Sequence, residues 1–303
     1  MSLRESLEVL EDLARGRRGA PLAVVEADDE DVLLAVDSVR REGLISPILL
    51  GRRERVERAL RLLGLEAGDF ELVECEGPEE SSRRAVSMVR SGEASFLMKG
   101  SVSTSTLLKA VLDREAGLRS GRLLSHVFFI EVPRLSRVFC LTDGGLNVRP
   151  DLQAKVGILE NAVWCYHRLG IAEPRVAVLS AVEVVNPDIP STLDAAALVQ
   201  MNRRGQIKGC LVDGPLALDN ALSLEACRHK GIDSPVGGEA DVLLVPHIEA
   251  GNLLGKALFY TADAFGAGAV VGALAPVVLT SRASDARTKR LSILLGSALG
   301  ARV

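Results

Sequence analysis

The sequence predicts a mixed α/β fold, with mostly parallel sheets covered by helices, on three observations. Short apolar runs alternate with longer amphipathic ones from end to end. The longer stretches carry helical spacing: Ala250, Leu253, Leu254, Ala257 and Leu258 fall at i, i+3, i+4, i+7 and i+8 and make one apolar face. Several apolar runs end in polar, glycine-bearing turns that open the next amphipathic segment, the rhythm of βαβ units.

In order, the apolar runs place strands over 22–26, 45–50, 70–74 and 94–98, with helical patterns over 31–41, 53–63 and 78–90 between them. Two strands, 127–131 and 138–141, then follow with only Pro133 and a short basic turn between, which predicts an antiparallel hairpin. That change of rhythm marks a domain seam near 140–150, at Gly144-Gly145 and Pro150. Beyond it the runs 175–179, 207–212, 242–245 and 269–279 predict strands, and 250–261 a helix.

At 303 residues the chain suits one large α/β domain or two smaller ones. Hydrophobic residues are 48% and charged residues 25%, a soluble globular composition with ample core. The net charge of −4 argues against a nucleic-acid or membrane-surface partner. Five scattered cysteines with no CxxC read as reduced, buried thiols of a cytoplasmic protein. Residues 1–18 lack the apolar core of a signal peptide. The longest uncharged run, 264–281, is broken by Pro276 and shorter than the ~20 residues of a membrane span.

Five strand ends carry polar groups that packing does not require. Leu279-Thr280-Ser281-Arg282-Ala283-Ser284-Asp285 places hydroxyls and a guanidinium where an apolar run meets a helix start, which suits an anion. Lys99-Gly100-Ser101-Val102-Ser103-Thr104 brings an ammonium and several hydroxyls to a helix start, which suits a phosphate; it is not a Walker loop, and Ser103 or Thr104 also fits a plain N-cap. Thr142-Asp143-Gly144-Gly145-Leu146-Asn147 equally describes an ordinary turn. Asp213-Gly214-Pro215 after a strand predicts a tight turn with proline near the first position of a helix. In Pro246-His247-Ile248-Glu249-Ala250-Gly251-Asn252, Gly251 inside a helix predicts a close backbone approach by a neighbouring element or a ligand. All five follow apolar strands and are expected to converge on one edge of the sheets. The four histidines show no metal-ligand spacing, and no GxGxxG follows the first strand, so no metal or nicotinamide site is expected.

The segments LMKGSVSTSTLLKAVL, FCLTDGGLNVRPD, SAVEVVNPDIPSTLDAAAL, RGQIKGCLVDGPLALDNA, VLLVPHIEAGNLLGKALFY and VLTSRAS resemble, in order and spacing, the phosphate acetyltransferase / phosphate butyryltransferase family. The butyryltransferase branch is nearer. The match is strong from roughly residue 94 onward and rests on SPILLGRRERV before that.

The resemblance implies a two-domain α/β/α architecture like that of isocitrate and isopropylmalate dehydrogenases, with an interdomain cleft. The final helix would return to the first domain, giving 1–145 plus 276–303 and 146–275. It also implies reversible transfer of a short acyl group from acyl-CoA to inorganic phosphate by direct attack in a ternary complex. Coenzyme A and phosphate are substrates in such a reaction, no cofactor is tightly bound, and a homo-oligomer is expected. Ser281 and Arg282 match the family's Ser-Arg pair. Asp285 is the nearest carboxylate to serve as base, though closer to the arginine than in the acetyltransferase branch, and it also fits ordinary helix electrostatics behind Ser284 as N-cap. Lys99, Gly100, Ser101, Ser103, Thr104, Asp143, Asn147, Asp213, Gly251 and Asn252 are expected on the phosphate or on coenzyme A. Arg287, Lys289 and Arg290 could meet coenzyme A phosphates, a solvated helix face being favoured for at least two. The alternatives are an acyl-carrier-protein:phosphate acyltransferase, a metal- and nicotinamide-dependent hydroxyacid dehydrogenase of the same fold, and a coenzyme A-binding protein without turnover.

Overall fold

The computed structural model describes residues 2–281 and 284–300. In chain order the elements are α1 (Val9–Arg15), β1 (Ala20–Val25), α2 (Glu30–Arg41), β2 (Ile45–Gly51), α3 (Arg53–Leu62), β3 (Glu71–Glu74), α4 (Pro78–Ser91), β4 (Phe96–Lys99) and α5 (Thr104–Val111). A hairpin of β5 (Ser125–Val132) and β6 (Arg137–Thr142) follows, then α6 (Leu152–Arg168), β7 (Arg175–Leu179), α7 (Pro190–Arg203), β8 (Leu211–Leu216), α8 (Leu218–Leu222) and α9 (Leu224–Lys230). The chain closes with β9 (Val242–Leu244), α10 (Ile248–Thr261), β10 (Phe265–Val271), β11 (Val277–Val278) and α11 (Ala286–Leu299). The α/β class predicted from the alternating pattern is the one observed.

Two compact units form. The first comprises Glu8–Arg122 and the chain from Gly266 onward; the second comprises Leu123–Phe265 and the N-terminal residues through Leu7. The expected divisions at 145/146 and 275/276 therefore stand against observed ones at 122/123 and 265/266. Strand pairing explains the difference. The β5–β6 hairpin is antiparallel, and its second strand pairs in parallel with β9, which draws the hairpin into the second unit. Arg4 joins that unit through both carboxylate oxygens of buried Asp241, at 2.7 and 2.8 Å.

In the first unit the strand order is β3-β2-β1-β4-β11-β10. All neighbours are parallel except the last pair. Residues Leu22 to Val25 and Phe96 to Met98 are buried, as expected of strands covered on both faces. Helix α11 is buried along most of its length. It lies so close to the sheet that a Cβ on Gly296 would come within 2.6 Å of Phe96 and 2.7 Å of Val278. The single strand expected over 269–279 is instead a tight antiparallel pair, with Val270 opposite Val277. Gly272, at φ 97, supplies the left-handed residue that this reversal needs.

In the second unit the order is β5-β6-β9-β7-β8, parallel from β6 to β8. Ile130, Phe139, Leu141, Ala177, Leu216 and Leu243 form its core. The strand expected over 207–212 begins later and runs through Asp213, Gly214 and Pro215, so these residues do not form the predicted turn. Proline is tolerated there because β8 ends the sheet and its register shifts between Ala177 and Leu179. Among the described residues no helix is long and apolar enough to cross a membrane.

Candidate active site

The carboxyl ends of β1, β4 and β11 lie side by side in the first unit, with Leu97 opposite Val277 and Met98 opposite Val278. Two of the polar turns leave from there. In the first, the Gly100 amide donates to Val25 O and the Ser101 amide to Glu26 O, both at 2.8 Å. A Cβ on Gly100 would come within 2.0 Å of Glu26 O, so glycine is required here by contact with β1. The Lys99 ammonium folds over its own turn and donates to Gly100 O at 2.9 Å and Val102 O at 3.2 Å. Ser103 is the N-cap of α5, accepting the Thr106 amide at 3.1 Å, and its hydroxyl lies 2.9 Å from those of Ser105 and Thr106. Thr104 is the first helical residue and is exposed. The result is a helix N-terminus ringed by hydroxyls with an ammonium beside it, an arrangement that binds anions.

The Ser101 hydroxyl donates to Asp28 Oδ1, and Asp28 Oδ2 pairs with Arg55 at 2.6 Å. The run Glu26-Ala27-Asp28-Asp29-Glu30-Asp31 did not figure among the expected site residues. Its signal in the sequence is a cluster of carboxylates directly after a strand on an edge suited to anions.

In the second turn Ser281 is exposed and its carbonyl accepts the Ser284 amide at 3.0 Å. Arg282, the central residue of the predicted clamp, lies outside the described residues. Asp285, and not Ser284, is the N-cap of α11, its Oδ1 accepting the Thr288 amide at 2.7 Å. The extra residue before the helix gives Ser284 O a different partner, the Lys289 ammonium at 2.6 Å. Lys289 is buried, and Arg290 pairs with Glu11 and Glu42 at 3.1 and 2.8 Å. A solvated face therefore does not describe Lys289.

The second unit assembles another pair of turns, at the carboxyl ends of β6 and β9. Asp143 is buried and accepts five donors: the amides of Gly145, Leu146, His126 and Asn147, at 2.8, 2.9, 3.1 and 3.3 Å, and Asn147 Nδ2 at 2.7 Å. Asn147 Nδ2 also donates to Leu124 O at 2.9 Å. Asp143 and Asn147 thus hold the turn together. Burial pushes the His126 imidazole below its ordinary value, and the Asp143 charge opposes that only in part.

The close approach predicted at Gly251 is to this same turn. A Cβ on Gly251 would come within 2.7 Å of Gly144 Cα and 2.9 Å of Val245, so the glycine is required by packing. Asn252 is exposed and its Nδ2 donates to Gly144 O at 3.3 Å. His247 caps α10, accepting the Ala250 amide at 3.3 Å. Asp213 lies within β8, opposite Ala177, and belongs to neither pair of turns.

All five cysteines are free and buried. Desolvation pushes the Cys140 and Cys210 thiols up to about 12. The Cys75 and Cys227 thiols are raised by the same cause. Among the described residues no three His, Cys, Asp or Glu side chains gather as a metal site.

The model of the family described as phosphate acetyl/butaryl transferase matches residues 79–295. The phosphate butyryltransferase of Clostridium acetobutylicum is 46% identical over 91% of this chain and 92% of its own. The phosphate acetyltransferase of Thermotoga maritima is 45% identical over 96% and 98%. Among solved structures, a branched-chain phosphotransacylase from Enterococcus faecalis superposes with a TM-score of 0.84 at 32% identity, covering 92% of this chain and 98% of that one.

Proposed function

From the premise that the chain belongs to the phosphate acetyl/butaryl transferase family, and so is an acyltransferase, we propose the following reaction and roles. A short acyl group passes reversibly between coenzyme A and inorganic phosphate. A phosphate oxygen attacks the thioester carbonyl, the new C–O bond forms as the C–S bond breaks, and coenzyme A leaves as a thiolate that takes up a proton. In reverse, a base removes the thiol proton and sulfur attacks the acyl phosphate. The observation that carries this reading is the pair of hydroxyl-bearing turns at the neighbouring ends of β4 and β11, each opening a helix.

Arg282 takes the phosphoryl oxygens, where a planar two-pronged donor surpasses lysine. Ser281 donates to the same group or to the developing oxyanion. Lys99, Ser103 and Thr104, with the first amides of α5, hold the diphosphate of coenzyme A. Alongside α5 lies a cavity of about 380 Å³ to which Arg83 and Lys109 contribute cations for its remaining phosphate. Asp113, also at its rim, is already bonded to the Glu115 and Ala116 amides at 2.9 and 2.8 Å. Ser101, Asp143 and Asn147 act by shaping turns. No tightly bound cofactor takes part, and the enzyme works as a cytoplasmic homo-oligomer. Butyryl and acetyl groups are both within its class.

The test is release of free thiol from acetyl-, butyryl- and branched acyl-CoA on adding phosphate. Wild-type protein is expected to release it without added metal. Arg282→Ala is expected to lower the rate by at least ~10²-fold while the protein stays folded. Near-normal turnover by that variant would remove Arg282 from the clamp, and turnover only with acyl groups on a protein carrier would favour the carrier-protein acyltransferase.

A further inference from the structure

Lys289 is an anomaly of placement. Its residue is 2% exposed, yet it lies one turn into α11, where the helix dipole disfavours a cation and burial disfavours any charge. Its carboxylate partner, Asp31 at 3.2 Å, is itself 67% exposed, so a strong buried pair does not account for it. The shorter bond goes elsewhere. Helical side chains lean toward the N-terminus, and the Lys289 ammonium reaches back past the cap to Ser284 O at 2.6 Å. The Ser284 amide in turn donates to Ser281 O at 3.0 Å. A buried positive charge is therefore bonded to the far end of the segment that begins at Ser281.

We infer that Lys289 is a positioning residue for the phosphate clamp: it fixes Ser284 and, through the Ser284–Ser281 bond, holds Ser281 in place. The inference rests on the reading of Ser281 and Arg282 as that clamp. Lys289 does not touch substrate; it acts through Ser284. Its contact with exposed Asp31, in the first turn of α2, is the longer of its two bonds and the weaker hold. Asp28, in the loop after β1, holds the Ser101 hydroxyl of the neighbouring turn.

Steady-state kinetics of full-length Lys289→Met and Lys289→Arg, with phosphate and acyl-CoA varied separately, test this. Losing a hydrogen bond from a charged group predicts a rise of about tenfold or more in the KM for phosphate in Lys289→Met. The KM for acyl-CoA should stay within about threefold, and Lys289→Arg should restore most of the loss, because the predicted defect is confined to the phosphate clamp and arginine keeps a charged donor. Asp31→Asn should have little effect, since its carboxylate is exposed. A merely structural lysine would lower the active fraction and leave both KM values unchanged, and that result overturns the inference. Should Lys289→Met not fold, Lys289→Gln is read the same way. If wild-type enzyme shows no phosphate-dependent thiol release, the functional reading fails first. Phosphate protection against thermal unfolding then decides separately: protection retained in the variant overturns the role of Lys289, and protection lost supports it.

Discussion

The Asp285 carboxylate accepts the Thr288 amide through Oδ1, while its other oxygen has no partner among the described residues. One residue thus combines a capping duty with a free acceptor near the clamp, and a single substitution separates them. Asparagine caps a helix about as well as aspartate but cannot take a proton. Asp285→Asn is therefore expected to leave Tm within about 2 °C of wild type, because the cap survives. In the direction that consumes free thiol, kcat should fall by ~10² or more, the usual worth of a positioned base. Rates followed by acyl-CoA formation, beside a melting curve, check both halves. Unchanged kcat would leave Asp285 as a cap alone. Only half of this was legible in the sequence. A carboxylate after a hydroxyl-rich turn reads equally as cap or base, and choosing Ser284 as cap misplaced the helix start by one residue.

Helix α10 shows how one element can answer a sequence-level question about its glycines. Gly251 and Gly255 lie four residues apart and are its only buried described residues. Their surroundings differ. A methyl at 251 would meet Gly144 Cα, Val245 and Asp143 O at 2.7, 2.9 and 3.2 Å, while one at 255 would meet Leu141 at 3.4 Å, an ordinary contact. Gly251→Ala should therefore destabilise by about 1–3 kcal/mol, because overpacking against fixed backbone outweighs the gain in helix propensity. Gly255→Ala should instead stabilise by about 0.5–1 kcal/mol. Denaturant melts of the two variants would show opposite signs. Most strands were legible because central parallel strands are continuous apolar runs, as at Leu22–Val25 and Phe96–Met98. The misread ones fail for local reasons. Proline suggested a turn in β8, where an edge position tolerates it, and the uncharged 264–281 run concealed the reversal at Gly272.

Across the whole molecule the reactive side chains are distributed in a way that bears on the order of chemical steps. Strand–turn–helix rhythm located the polar turns that open α5 and α11, since helix starts after buried strands are locally encoded. The partners of those turns were hidden, because Asp28–Ser101 and Lys289–Asp31 join residues 73 and 258 positions apart. The cysteines lie in both units, Cys75 in the first and the other four in the second, and every one is buried. A thiol held up at about 12, as at Cys140 and Cys210, carries almost no thiolate near neutral pH and makes a poor nucleophile. An acyl-cysteine intermediate would need one of these sulfurs to meet both a thioester carbonyl and a base. Direct transfer needs neither, only both substrates bound together. Initial velocities with acyl-CoA and phosphate varied against each other should give intersecting lines, the pattern of a ternary complex. Labelled coenzyme A should not exchange into acyl-CoA when phosphate is omitted. Iodoacetamide on the native protein should leave activity within about twofold, because buried, protonated thiols alkylate slowly. Parallel lines together with phosphate-independent exchange would instead require a covalent acyl-enzyme and overturn the direct route.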